Sequence, residues 1–192
     1  DGNGLLMVGG PNSFENGGYA NSSVASMLPV TFGESTQGSA RIVMLIDVSG
    51  SAGEGMRIQK AIALDALSQL GDENTVGVVG FNYRAYRISD PVQLRDGREQ
   101  TEDRIRRLEA GAATDIAVGL RGAEEMLDGN RGTIILISDG GDTASQSAAV
   151  ANSLGRQGIR VMAVGAGANV NEDVLRRIAD ESDGNYYSAD ET

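Results

Sequence analysis

The chain has 192 residues, with 27 acidic side chains against 16 basic ones for a formal net charge of −11, and it contains no Cys, His or Trp. Those absences exclude a disulfide framework, a Cys/His zinc site, a thiolate nucleophile, a Ser-His-Asp triad and a His-ligated haem, so any metal must be held by oxygen, which suits hard cations. The acidic balance excludes nucleic acid or an anionic membrane surface as the main partner, because both need a basic footprint.

In chain order, residues 1–40 are rich in Gly, Ser and Asn, with one short apolar run, Leu5-Leu6-Met7-Val8, that reads as a strand. Gly33-Glu34-Ser35-Thr36-Gln37-Gly38-Ser39 has linker composition and sets a boundary between a segment 1–40 and a domain 41–192. Ile42 to Ile46 is a continuous apolar run ending at Asp47, as expected of a strand buried on both faces of a parallel sheet. Ala63, Ala66, Leu67 and Leu70 recur at helical spacing up to Gly71. Thr75 to Phe81 and Tyr86 to Val92 read as strands joined by the hairpin Asn82-Tyr83-Arg84, which makes one strand antiparallel at an edge. Helices follow over Glu99–Leu108 and Asp115–Leu127, then a buried strand Thr133–Ile137, a helix Ala144–Arg156, a strand Ile159–Val164, a helix Glu172–Ala179 and a short strand at Asn185–Tyr187. This alternation predicts an α/β fold: a doubly wound, Rossmann-like sandwich with a mostly parallel central sheet and helices on both faces. With 40 % hydrophobic but only 4 % aromatic residues, its core is expected to be built from small side chains, with Met44, Met126 and Met162 as filler.

The end of a buried strand is where an acidic residue is least expected without a role. Asp47-Val48-Ser49-Gly50-Ser51 stands at such an end, and in a tight loop residues i, i+2 and i+4 can turn one carboxylate and two hydroxyls toward a common point. Ala113-Thr114-Asp115 lies at a loop-to-helix junction and Ser138-Asp139-Gly140 at another strand end. The topology puts all three on one rim, outside the carboxyl ends of the strands, where ligands of such sheets bind.

These residues, in this order, resemble a von Willebrand factor type A domain with a metal-ion-dependent adhesion site. The resemblance covers 41–192 and extends to Val170-Asn171-Glu172-Asp173, Ile178-Ala179 and Gly184-Asn185-Tyr186-Tyr187. It implies that Ser49 and Ser51 bind a metal directly, that Asp47 and Asp139 act at least partly through water, and that Thr114 is a ligand whose direct bond depends on conformational state. The implied cation is Mg²⁺, with Mn²⁺ or Ca²⁺ as alternatives, and the implied partner is a protein presenting an Asp or Glu carboxylate. Two carboxylates and three neutral hydroxyls leave a divalent cation incompletely satisfied, so it can attract one more carboxylate from outside. On this reading the chain is a binding module and not an enzyme. Ala52, the short loop Gly53-Glu54-Gly55 and Ala113 depart from the usual pattern without removing a ligand; Glu54 and Asp115 stand where they could enter the coordination sphere and weaken recruitment.

Two other readings compete. One is a structural domain of the same family, packed within a larger membrane-associated protein, its metal site unused or only stabilising. The other is a Mg²⁺-dependent phosphotransfer or hydrolase site, against which Ser49 occupies the position where a phosphoaspartate enzyme needs a second acid, while Lys60 lies on the first helix. The segment from Val8-Gly9-Gly10-Pro11 to Met27-Leu28-Pro29-Val30 is similar to part of a glutamine-amidotransferase-like domain, without the Cys-His pair that active members use. A chain opening at Asp1 reads as a piece of a longer protein, for which the large relatives imply a membrane anchor; no apolar run in it reaches the ~18 residues of a membrane span. Lys60 is the only lysine among the 16 basic residues, a composition that looks adapted to high salt. Arg104, Arg106 and Arg107, interleaved with acids, read as a solvated helix face.

Overall fold

The computed structural model describes residues 39–49, 54–111, 113–141, 144–167 and 169–188, all within the unit Ser39–Thr192. The expected strand at Leu5–Val8, the amidotransferase-like segment, Ser51, Ala52 and Gly53 lie outside the described residues.

Continuous apolar runs become the inner strands because both faces of each are covered. The first is β1 (Arg41–Asp47), buried from Ile42 onward. Its side chains alternate between two cores. Val43 and Leu45 join one core, while Ile42, Met44 and Ile46 join the other. It is followed by α1 (Glu54–Gln69), β2 (Thr75–Phe81), β3 (Ala85–Gln93), α2 (Leu94–Arg106), α3 (Ile116–Leu127), β4 (Gly132–Ser138), α4 (Ala144–Arg156), β5 (Ile159–Gly165), α5 (Glu172–Glu181) and β6 (Tyr186–Ser188). The six strands form one sheet in the order β3-β2-β1-β4-β5-β6. Every pairing is parallel except β2 with β3, which is antiparallel and puts β3 at an edge, as the short hairpin requires.

Helices α3, α4 and α5 cover one face through Ile116, Leu120, Leu154, Leu175 and Ile178. The opposite face is covered by α1 and α2 through Met56, Ala63, Leu67, Leu94 and Ile105. Small side chains such as Ala63, Ala123, Ala151, Ala163 and Ala179 are fully buried, and Phe81 is the one aromatic side chain in the described core. Met44 and Met126 are buried as expected, whereas Met162 is only half-buried.

Two sequence readings are corrected. The α2 helix begins at Leu94 rather than at Glu99. Asp96-Gly97 looks like a turn in isolation, yet Leu94 is buried and Gly97 lies against Val92, whose Cγ1 would stand 2.6 Å from any added Cβ, so tertiary packing overrides the local signal. Arg106 and Arg107 do pair with Glu102 and Asp103 on the exposed face, but Arg104 Nη1 donates to the Ile88 carbonyl at 2.8 Å and ties α2 to β3.

Helix α3 approaches the sheet closely at Gly119, where an added Cβ would sit 2.6 Å from Cγ of the fully buried Phe81 ring. The ring has nowhere to move, so overpacking outweighs the ~1 kcal/mol gained in helix propensity. Gly119→Ala is expected to destabilise the chain by about 1–3 kcal/mol in urea unfolding, with an unchanged m-value.

Candidate metal centre

Strand β1 is hydrogen-bonded to β2 on one side and β4 on the other, and the chain's progress across the sheet reverses between β1 and β4. The carboxyl ends of these two strands therefore mark the switch point, and each ends in a polar residue: Asp47 on β1 and Ser138 on β4.

Asp47 is completely buried. Its Oδ1 accepts from the Ser49 backbone N–H at 2.8 Å, and its Oδ2 accepts from the Ser138 hydroxyl at 2.7 Å. The Ser49 hydroxyl also lies within hydrogen-bonding reach of the carboxylate. Burial nevertheless pushes the Asp47 pKa above the ordinary carboxylate range; the hydrogen bonds from Ser49 and Ser138 pull it down, and the nearby Asp139 carboxylate adds to the rise. Burial is the largest of these influences, and the donors from Ser49 and Ser138 act against it. A cation at this point would act in the same direction as those donors.

Asp139 directly follows β4 and is half-buried. Its Oδ1 accepts from Gly141 N–H at 2.9 Å, and its carbonyl accepts from Asn171 N–H at 2.7 Å. Gly140 has φ +74, and an added Cβ would meet the Asn171 carbonyl at 2.6 Å, so the turn that presents Asp139 needs glycine. Asn171 in turn caps α5, its Oδ1 accepting from Val174 N–H at 3.4 Å.

The loop before α3 is pinned to the same rim at two points. Gly111 N–H donates to the Val48 carbonyl at 2.6 Å, and Asp115 N–H donates to the Asn82 carbonyl at 3.0 Å. Thr114, half-buried, is held between these anchors. Asp115 itself is the N-cap of α3, its Oδ1 accepting from Val118 N–H at 3.0 Å, which gives that carboxylate a structural task.

The structure thus brings Asp47, Ser49 and Asp139 together and places Thr114 on the same rim; Ser51 falls outside the described residues. Reading the sequence missed the part played by Ser138, whose hydroxyl donates to Asp47 and accepts from Gly140 N–H at 3.0 Å, orienting both acidic ends of the site. Its signal was a hydroxyl residue closing an apolar strand immediately before Asp-Gly. Among the described residues no three acidic side chains cluster as a metal cage. The donor set is instead two carboxylates with neutral hydroxyls, an all-oxygen arrangement that fits a hard divalent cation.

Several known proteins are similar to this chain in sequence or in fold. An uncharacterized protein of Synechocystis sp., sll0103, is 29 % identical over 154 residues, covering 74 % of this chain; the chain spans 36 % of that protein's length. A von Willebrand factor type A protein from Catenulispora acidiphila superposes with a TM-score of 0.69 at 22 % identity, over 78 % of this chain and 38 % of that one. The manganese-loaded TRAP protein of Plasmodium vivax superposes with a TM-score of 0.63 at 19 % identity, over 80 % of this chain and 70 % of that one. Residues 42–192 match the family model of the von Willebrand factor type A domain, and the chain belongs to that family.

Proposed function

We propose that this domain is a metal-dependent protein-interaction module, without catalytic turnover, whose cation site is formed by Asp47, Ser49, Ser51, Thr114 and Asp139. The observation that carries this reading is Asp47: a fully buried carboxylate at the switch point, oriented by donors from Ser49 and Ser138, with a second carboxylate, Asp139, beside it. The family often mediates metal-dependent protein interactions, and the Plasmodium relative is manganese-loaded. Mg²⁺ is the cation we favour, because a small site with few charged ligands suits an ion that keeps several waters.

Each residue has a distinct task in this reading. Asp47 and Asp139 supply negative charge, and their backbone and hydroxyl donors fix the carboxylate orientations. Ser49, Ser51 and Thr114 offer hydroxyl oxygens that add no charge. A bound divalent cation would supply an open coordination position for an Asp or Glu carboxylate of a partner protein. Asp115 has a capping task at the N-terminus of α3, where its Oδ1 accepts from Val118 N–H.

Thermal unfolding with EDTA, Mg²⁺ or Mn²⁺ tests the site. Saturation at 100 times Kd stabilises by about 2.7 kcal/mol, which for a domain of this size raises Tm by roughly 5–11 °C. The rise is expected with wild type and absent from Asp139→Ala; an equal rise in both would reject the assignment. Ser138→Ala removes a buried donor to a charged acceptor, so it should cost about 1.5–3 kcal/mol even in EDTA, as read by urea unfolding.

A further inference from the structure

We propose that the hairpin turn between β2 and β3 is the partner-reading element of this domain, taking a second carboxylate of an acidic protein segment at Arg84. The inference rests on the metal-dependent reading above and names the chemistry of its partner.

The turn stands next to the site. Asp47 is paired with Phe81 across β1 and β2, and Val48 N–H donates to the Phe81 carbonyl at 2.8 Å. Adjacent strands lie about 4.8 Å apart, so the hairpin begins one residue beyond the immediate neighbour of Asp47. It is also pre-ordered by Asn82, which is 5 % exposed. Asn82 N–H donates to the Arg84 carbonyl at 2.9 Å, while its Oδ1 accepts from Arg84 N–H at 3.0 Å and from the Tyr86 hydroxyl at 3.2 Å. The Asn82 carbonyl accepts from Asp115 N–H, which joins this turn to the loop that carries Thr114.

What the turn displays does not suit a bare solvated surface. Tyr83 is 51 % exposed and Tyr86 39 %, in a chain with only 4 % aromatic residues. The Arg84 guanidinium lies 5.2 Å from the centre of the Tyr83 ring. Arg84 is exposed and makes no ion pair among the described residues, as is true of most of the described arginines; its place one turn from Asp47 and its stacking on Tyr83 set it apart. A rigid Tyr-Arg-Tyr surface is the composition enriched at protein interfaces, because aromatic rings give contact area at low entropic cost. An exposed guanidinium beside the proposed cation site, on a chain of net charge −11, would offer two positive points to one ligand. The complementary ligand is a protein segment with two acidic side chains, one for the cation and one for Arg84.

The test uses fluorescein-labelled Gly/Ser peptides carrying either one Asp or a second Asp at increasing spacing. Binding to the full chain is read by fluorescence anisotropy in saturating Mn²⁺ at low salt. The best two-Asp peptide is expected to bind roughly three- to fivefold tighter than the one-Asp peptide. Arg84→Ala should erase that advantage while leaving one-Asp binding and the Mn²⁺ thermal shift intact; Tyr83→Ala should weaken both peptides by roughly tenfold. An advantage that survives Arg84→Ala, or no peptide binding despite a Mn²⁺ shift, overturns the proposal. Absence of the Mn²⁺ shift defeats the metal-dependent reading separately, and the hairpin is then judged on the same peptides in EDTA. Arg84-dependent binding there upholds it, and none overturns it.

Discussion

The hydrogen bond from the Ser138 hydroxyl to Asp47 closes the gap between β1 and β4 at the switch point, 91 residues apart in sequence. Both side chains are fully buried, so neither can find water if the other is absent. The same hydroxyl accepts from Gly140 N–H, which fixes the turn that presents Asp139. One side chain therefore sets the position of one carboxylate and the direction of the chain that carries the other. The loop to α5 follows from this, because Asn171 N–H docks on the Asp139 carbonyl and Asn171 then starts the helix.

Electrostatics makes this arrangement costly without a counter-charge. A carboxylate at zero exposure is unfavourable unless its charge is met, and Asp139 nearby makes it worse. Donors from Ser49 and Ser138 reduce the cost, yet burial still holds the Asp47 pKa above its ordinary range. A domain held together by two cores could have closed β1 with a Val or Thr and gained stability. Its retention of a buried acid at the one place where α/β sheets bind ligands is a physical reason to look for a cation there. The five ion pairs found among the described residues are all on the surface or half-exposed and contribute little by comparison, about 0.2–1 kcal/mol each at most.

The sequence made the sheet legible because its inner strands are buried on both faces and so appear as unbroken apolar runs; Thr75–Phe81 and Ala144–Arg156 fall where the pattern put them. Where local and tertiary signals disagree, reading failed. Asp96-Gly97 concealed the first turn of α2, and Arg104 looked solvated although its guanidinium reaches a strand carbonyl. The acidic members of the site were visible because an Asp at a strand end is anomalous by itself. Ser138 was not, since a serine is unremarkable until its two partners are known. Exposure and pairing are likewise invisible in sequence, which is why Tyr83 and Arg84 looked like ordinary turn residues.

Asn82 shows how the fold converts these local features into one surface. A residue whose backbone and side chain together bond Arg84, Tyr86 and Asp115 makes the hairpin and the Thr114 loop parts of a single rim. Gly111 is needed for the same closure, because a Cβ there would sit 2.5 Å from Asn82 Nδ2. The Thr114 loop thus touches the residue after β1 through Val48 and the residue after β2 through Asn82. A change of state at the metal centre that moved this loop would also move the exposed tyrosines and Arg84.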